Sequence, residues 1–232
     1  MTENKNTGPV VEIEITADGS HTLFVPALKE HYHSVFGSIA ESRHIFINSG
    51  FNFLEKKETP VEILEIGFGT GLNALLTYIE SESGLRSVNY AAIELNPLSK
   101  DIYERLNYPD LVDHPSSRKI FLDLHQSIWD ELVKLTGHFS LLKRNISMYE
   151  YSPAAETFDL VYFDAFGPDV QPEMWTEEVF RKIASGLRKD GILVTYSSKG
   201  TVKRNLKAAG FKIEKLPGPA GKREILRAFK IC

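Results

Sequence analysis

The sequence predicts an α/β protein built on a doubly wound parallel sheet. Three features carry that expectation: a strand, a glycine turn and a helix in immediate succession from Val61, an alternation of strand-like and helix-like segments after it, and two strand-like segments that close the chain. VEILEI (61–66) is a short apolar strand and GFGTG a turn. Leu72, Leu75, Leu76 and Ile79 then fall at i, i+3, i+4 and i+7 of a helix that ends near Ser83-Gly84. NYAAIE (89–94) is the second strand, and Pro97 sits where the first turn of the next helix would start.

Upstream, VEIEITADGSHTLFV (11–25) alternates apolar and polar residues around Asp18-Gly19, a strong hairpin signal, whereas 26–57 mixes helical and extended character without a clear period. Downstream, residues 107–140 hold no trusted strand. LHQSIWDELVKL (124–135) is helical in composition and spacing, so 107–140 reads as a helical insertion. SLLKRNISMYEY (140–151) is strand-like, and FDLVYFD (158–164) has the continuous apolar character of a central parallel strand buried on both faces. A helix over 175–189, a strand over 190–196 and a helix over 201–210 closed by Gly210 follow. FKIEKL (211–216) and REILRAF (223–229), joined by PGPAGK, form an antiparallel pair. The expected organisation is a hairpin and substrate-side extension over 1–60 and a nucleotide-binding domain over 61–232.

Composition narrows the class. At 232 residues, 42% hydrophobic and 25% charged, the chain reads as an ordinary globular protein rather than a disordered or collagen-like one. Its one cysteine is the terminal Cys232, which excludes an internal disulfide and a cysteine-cluster metal site and makes a poor nucleophile. His31 and His33 lack an acid or cysteine at ligand spacing, so no metal is expected. The opening residues carry no leader pattern and no run approaches membrane-spanning length, which points to a cytoplasmic protein without membrane contact. The net charge of −4 hides an asymmetry: from Gly186 to Cys232 there are 12 Lys/Arg against 3 Asp/Glu, while the first 185 residues are acidic. Such a tail reads either as a solvated face or as a phosphate-binding surface.

The chemistry concentrates at two places. In Glu65-Ile-Gly67-Phe-Gly69-Thr-Gly71 three glycines alternate between a buried strand and a helix, where the backbone must turn sharply and admit a ligand, and where the helix N-terminus offers free N–H groups. The dinucleotide fingerprint is G-x-G-x-x-G; here the third glycine comes one position early. The spacing resembles motif I of class I S-adenosylmethionine-dependent methyltransferases. Glu94 ends the second strand, where an acid accepts both hydroxyls of a ribose. At the carboxyl end of the central strand, Asp164 stands ready to take a proton from an attacking amine or hydroxyl, and Phe166 to pack a planar base. Asp164 as a helix cap and Trp175 as a core aromatic remain open alternatives.

EIGFGTGLN (65–73), IELNPL (93–98), YFDAFGPDVQPEMW (162–175), TYSSKGTVKRNLKAAGF (195–211) and GKRE (221–224) together resemble the methyltransferase domain of the MnmC-type tRNA wobble-uridine modification enzymes. His31-Tyr32-His33-Ser34 and Glu41-Ser42-Arg43 resemble the entry segment of the same family, and the resemblance covers roughly residues 15–229. It implies a class I methyltransferase Rossmann-like sheet of seven strands with the last antiparallel. It implies S-adenosyl-L-methionine as cofactor, held by Glu65, Gly67, Phe68, Gly69, Thr70, Gly71, Asn73, Glu94, Asn145, Asp164 and Phe166, with Asp164 catalytic. Tyr32, Ser34, Phe166, Met174, Trp175, Lys199, Lys222 and Arg223 then face the substrate. The implied reaction converts 5-aminomethyl-2-thiouridine to 5-methylaminomethyl-2-thiouridine at the wobble position of tRNA, with the amine made by a separate oxidase or other amine-forming enzyme.

Two departures qualify the resemblance. Asn145 and Ser147 stand where this class often carries an adenine-binding acid, and the acidic body leaves tRNA phosphates to the basic tail, Lys199, Lys203, Lys222 and Arg223 above all. The competing readings are an NAD-dependent oxidoreductase, disfavoured by the glycine spacing, a non-catalytic S-adenosylmethionine-binding tRNA partner, which would lack turnover, and an aminopropyltransferase, which also pairs an Asp with an amine.

Overall fold

The computed structural model describes residues 10–55 and 58–231; Cys232 lies outside the described residues. The chain opens with a small antiparallel sheet of β1 (Glu12–Ile15), β2 (His21–Val25) and β3 (Glu30–His31). The hairpin signal at Asp18-Gly19 is realised: Ile15 pairs with His21, and the Asp18 carboxylate accepts from the Ser20 and Ala40 N–H groups. A short helix α1 (Ser38–Ser42) runs into a π-helical turn at Arg43–Asn48.

The main sheet begins with β4 (Val61–Ile66), α2 (Leu72–Ser83) and β5 (Val88–Ile93). The chain continues through α3 (Lys100–Tyr103), α4 (Tyr108–Leu111), α5 (Ser117–Gln126), β6 (Leu132–Lys134) and β7 (Phe139–Arg144). It then crosses to β8 (Phe158–Phe163), α6 (Glu177–Gly186), β9 (Leu187–Thr195), α7 (Gly200–Ala208), β10 (Phe211–Pro217) and β11 (Glu224–Lys230). The spatial order is β10-β11-β9-β8-β4-β5-β7-β6. β4 pairs in parallel with both β5 and β8, while β11 runs antiparallel to β9 and β10. The seven strands expected with the last reversed are therefore present, and an eighth, β6, lies antiparallel on the far edge.

Several expectations are corrected. The helix expected over 124–135 lies one segment upstream: Ile120, Phe121 and Leu124 are its buried face, it ends at Gln126, and 132–134 pairs with β7 as a strand. Helical composition lost there to the hydrogen-bonding demand of the β7 edge. The strand expected over 140–151 stops at Arg144, and α3 starts at Lys100, three residues beyond Pro97. The helix expected from Trp175 begins at Glu177, capped by Thr176, whose hydroxyl accepts from the Val179 N–H.

Apolar residues fill both faces of the sheet. On one, α2, α5 and the π-helical turn cover Ile63, Tyr90 and Tyr162; on the other, α6 and α7 cover Leu64, Val161 and Phe163. Because the chain leaves β4 towards β5 and later returns to β8 on its other side, the carboxyl ends of β4 and β8 diverge into a crevice, the place where ligands bind in such sheets. No helix among the described residues is long and apolar enough to cross a membrane.

Lys143 is the most deeply buried cation among the described residues. Lys143 of β7 is 1% exposed; its ammonium donates to the His125 carbonyl at 2.6 Å and lies 4.5 Å from the centre of the Trp129 ring. Burial pulls its amine down to about 8. The unfolded chain therefore binds more protons between pH 8 and 10.5, and the fold should gain stability from this group as pH rises through that window. Relative to Lys143→Met, the wild type should gain on the order of 1–3 kcal/mol between pH 8 and 10.5 in chemical denaturation. Parallel pH profiles of the two proteins would refute this account of Lys143.

Candidate functional site

A cavity of about 790 Å³ opens along the carboxyl ends of β4, β5 and β8 and is roofed by the N-terminal extension. Its first wall is the turn after β4. The Gly67 and Phe68 N–H groups return to the Ile93 carbonyl, so the turn is tied to β5 while it reverses. Gly67 has φ 91°, and a Cβ there would stand 2.8 Å from the Asp164 carbonyl; only glycine lets β4 and β8 close at this point. The Gly69 N–H donates to Glu94 Oε2 at 2.9 Å, and the Asn96 N–H to Glu94 Oε1 at 2.8 Å.

Two histidines hold the turn from beneath. His33 Nε2 lies 2.7 Å from Thr70 Oγ1, and His125 Nε2 lies 3.1 Å from the Thr70 carbonyl. Burial lowers both, His33 to about 4 and His125 to about 3, so both are neutral at pH 7. A carbonyl only accepts, hence His125 carries its proton on Nε2. The His125 ring stacks on Tyr103 and packs edge-on to Phe68, which lines the cavity.

The second wall comes from β8. Asp164 is half-buried on the cavity floor, its Oδ2 accepting from Asn73 Nδ2 at 2.8 Å. The same amide nitrogen donates to Glu65 Oε1 at 3.0 Å, and Asn73 Oδ1 accepts from the Ser42 hydroxyl. Burial pushes Asp164 up to about 7, with the nearby Glu41 carboxylate adding to the rise and Asn73 and Lys222 opposing it. Glu65 is fully buried and held well above the usual carboxylate range by burial. Phe166 packs edge-on against Tyr32 at 5.0 Å, closing the cavity above Asp164.

Most of the residues singled out from sequence meet at this cavity. Gly67, Phe68, Gly69, Thr70, Asn73, Glu94, Asp164 and Phe166, expected to hold the cofactor, line it, as do Tyr32, Ser34, Met174, Lys199, Lys222 and Arg223, expected to face the substrate. Four do not reach it. Glu65 lies beneath the wall and acts through Asn73. Gly71 caps α2 against α5, where a Cβ would meet His125 Nε2 at 2.8 Å. Asn145 donates its amide to the Glu94 and Leu95 carbonyls and braces the end of β5; Ile146, Ser147 and Met148 line the cavity instead. Trp175 is 2% exposed in the core beside Phe163 and donates to the Phe166 carbonyl, so it supports the Phe166 loop rather than facing a substrate.

Sequence reasoning passed over two wall residues. Glu41 accepts from the Ser34 N–H at 2.7 Å and pairs with Lys222 at 3.1 Å. Tyr196 donates its hydroxyl to the Ala165 carbonyl at 2.9 Å. Both lay inside segments that resembled the family, but nothing local marked them as wall residues.

The donor set fits S-adenosyl-L-methionine. Each Glu94 oxygen accepts one backbone N–H and keeps a lone pair for a hydroxyl, and the apolar wall of Ile93, Leu95 and Met148 beside it suits a planar base. A reversed last strand, a glycine turn after β4 and an acid at the end of β5 define the class: a nucleoside-binding transferase of the class I methyltransferase kind. A family described as S-adenosyl-L-methionine-dependent methyltransferase matches residues 116–231, and the chain belongs to it.

Among curated relatives, the tRNA 5-methylaminomethyl-2-thiouridine biosynthesis bifunctional protein MnmC of Burkholderia multivorans is 30% identical over 217 residues, covering 88% of this chain and 33% of the relative. Its counterpart from Cupriavidus metallidurans is 31% identical over 222 residues, with 88% and 32% covered. The chain thus spans about a third of the length of the curated relatives it matches. The crystal structure of MnmC2 from Aquifex aeolicus superposes with a TM-score of 0.77 at 26% identity, covering 96% of this chain and 70% of that one.

Glu94→Ala removes the acceptor and frees the Gly69 N–H, and should weaken S-adenosyl-L-methionine binding by about tenfold or more in calorimetry. Glu94→Gln, which keeps one acceptor oxygen, should lose less. Equal affinities for wild type and Glu94→Ala would remove Glu94 from the cofactor site.

Proposed function

We propose that this protein transfers a methyl group from S-adenosyl-L-methionine to the primary amine of 5-aminomethyl-2-thiouridine at the wobble position of tRNA. The relatives' names supply the substrate class. The observation that carries the reading is Asp164: a carboxylate on the floor of the cofactor cavity, one oxygen held by Asn73, the other without a hydrogen-bond partner among the described residues, and its proton affinity raised to near neutrality.

The bound cofactor supplies a methyl group on a sulfonium, an electrophile that needs only a neutral nucleophile in line with it. An aminomethyl group is mostly protonated at pH 7, so the protein's task is to strip and aim it. Asp164 Oδ1 faces the cavity and takes the ammonium proton while the nitrogen lone pair turns to the methyl carbon. The N–C bond forms as the S–C bond breaks, methylation leaves the product as a secondary ammonium, and the proton held by Asp164 returns to solvent before the next turnover. Asn73 keeps Oδ2 fixed, so the carboxylate does not rotate away from the amine. Phe166 and Tyr32 pack edge-on over the floor and limit water there.

The basic tail contributes less to tRNA than its composition suggested. Lys199 pairs with Asp169, Lys203 with Glu224 at 2.8 Å, and Lys222 with Glu41. Arg223 is exposed on the cavity rim with no ion-pair partner among the described residues, which makes it the better phosphate contact. Residues 10–55 serve as the substrate-side extension, since Tyr32 and Ser34 reach the cavity from there. The amine-forming step lies outside this site; in our reading an oxidase activity performs it.

Asp164→Asn should keep cofactor affinity and lower kcat on the order of 100-fold or more, because the amide neither takes a proton nor carries charge. In the wild type kcat/KM should rise with pH through about 7 as Asp164 ionises, and the variant should lose that limb. Normal turnover of Asp164→Asn across pH 6 to 9 would return Asp164 to a structural role. Arg223→Glu should raise KM for tRNA and flatten the logarithmic salt dependence by about one unit, whereas Lys203→Met should leave the slope alone. Filter-binding titrations in a salt series separate the two.

A further inference from the structure

One corner of the cavity holds an arrangement that the methyl-transfer chemistry does not require. Glu41 is 8% exposed, an acid carried by the N-terminal extension into the wall. Lys222 reaches it from the β10–β11 loop, and the same ammonium lies 5.0 Å from the centre of the Tyr196 ring. The Tyr196 hydroxyl is tied to the Ala165 carbonyl, next in the chain to Asp164, and both Glu41 and Lys222 act electrostatically on Asp164. The loop is docked rather than loose: the Pro217 carbonyl lies 2.7 Å from His44 Nε2, and Gly221 packs so closely on Phe36 that a Cβ would clash.

A lysine side chain ends in a methylene and an ammonium. That is the same chemical group as a protonated aminomethyl substituent. A carboxylate and an aromatic face are the two features that bind such a cation when water is excluded, and here both are already engaged by one. We propose that Glu41, Tyr196 and Asp164 form the recognition corner for the substrate's ammonium, and that Lys222 fills that corner in the free enzyme and swings out when the substrate enters. The inference rests on the amine acceptor assigned above and adds its mode of selection. Lys222 is 28% exposed and has a path to solvent, so exchanging one ammonium for another keeps Glu41 paired throughout. An uncharged substituent gains nothing from displacing Lys222 and is rejected.

The test uses the full chain, radiolabelled S-adenosyl-L-methionine and a tRNA anticodon stem-loop bearing 5-aminomethyl-2-thiouridine. Glu41→Gln keeps an oxygen for the Ser34 N–H but removes the charge; it should raise KM for the stem-loop about tenfold with cofactor affinity unchanged. Lys222→Met should lower KM about threefold to fivefold at pH 8 without altering the salt slope, because nothing then competes for Glu41. In the Glu41→Gln background, Lys222→Met should lower KM less than it does in the wild type, the signature of a competitor held mainly by Glu41.

An unchanged KM for Glu41→Gln, with cofactor affinity and thermal melt intact, overturns the corner. A raised KM with a flatter salt slope for Lys222→Met overturns the exchange and makes Lys222 a phosphate contact. If the wild type transfers no methyl group to this stem-loop, the acceptor assignment itself fails and the corner falls with it; transfer by the wild type with unresponsive variants sinks the corner alone.

Discussion

The Asn73 side-chain amide joins four parts of the molecule: it donates to Glu65 on β4 and to Asp164 after β8, accepts from Ser42 at the end of α1, and belongs to the first turn of α2. A neutral amide has two N–H donors and one oxygen, and each finds a partner here, so its orientation is determined. The consequence reaches the chemistry. With Oδ2 of Asp164 held, Oδ1 is the oxygen without a hydrogen-bond partner among the described residues, and the burial that raises its proton affinity limits its solvation. Glu65 beneath it is held well above the usual carboxylate range by burial, so a negative charge there is disfavoured.

The glycine turn shows the same economy of parts. Glycines make the turn sterically possible, but they do not hold it in place; Thr70 does so, through its hydroxyl to His33 and its carbonyl to His125. Both imidazoles are neutral because they are buried, so they act as hydrogen-bonding struts rather than charges. His125 belongs to α5, the crossover helix whose position the chain composition misplaced. Its stacking on Tyr103 couples the segment between β5 and β7 to the cofactor wall.

Electrostatics divides the basic tail into three kinds of charge: Lys189, Arg204, Lys207, Lys212 and Arg223 have no ion-pair partner among the described residues. Those that pair internally, with Lys203 and Lys215 sharing Glu224 and Arg227 on Glu214, knit β10, β11 and α7 together. Lys222 differs because its partner lies in the N-terminal extension and inside the cavity, where the desolvated pair is screened little by salt. A compositional surplus of cations is therefore a guide to a nucleic-acid surface only through the ones the fold leaves unpaired.

The amino-acid sequence by itself determined the strand, glycine turn and helix from Val61 to Ser83, the central strand at 158–163 and the antiparallel pair that ends the sheet. In each, local periodicity and the tertiary environment demand the same residues, so nothing competes with the pattern. It also marked Gly67, Gly69, Glu94 and Asp164, whose places follow from strand ends in a doubly wound sheet. Only the tertiary structure decided the rest. Residues 132–134 became an edge strand because β7 offered unpaired backbone groups, against their helical composition. Asn145 turned its amide to the Glu94 carbonyl and Trp175 its indole into the core, choices between two nearby partners that spacing does not distinguish. The Glu41–Lys222 pair joins two ends of the chain, and an ion pair of that kind exists only after the fold has brought the ends together.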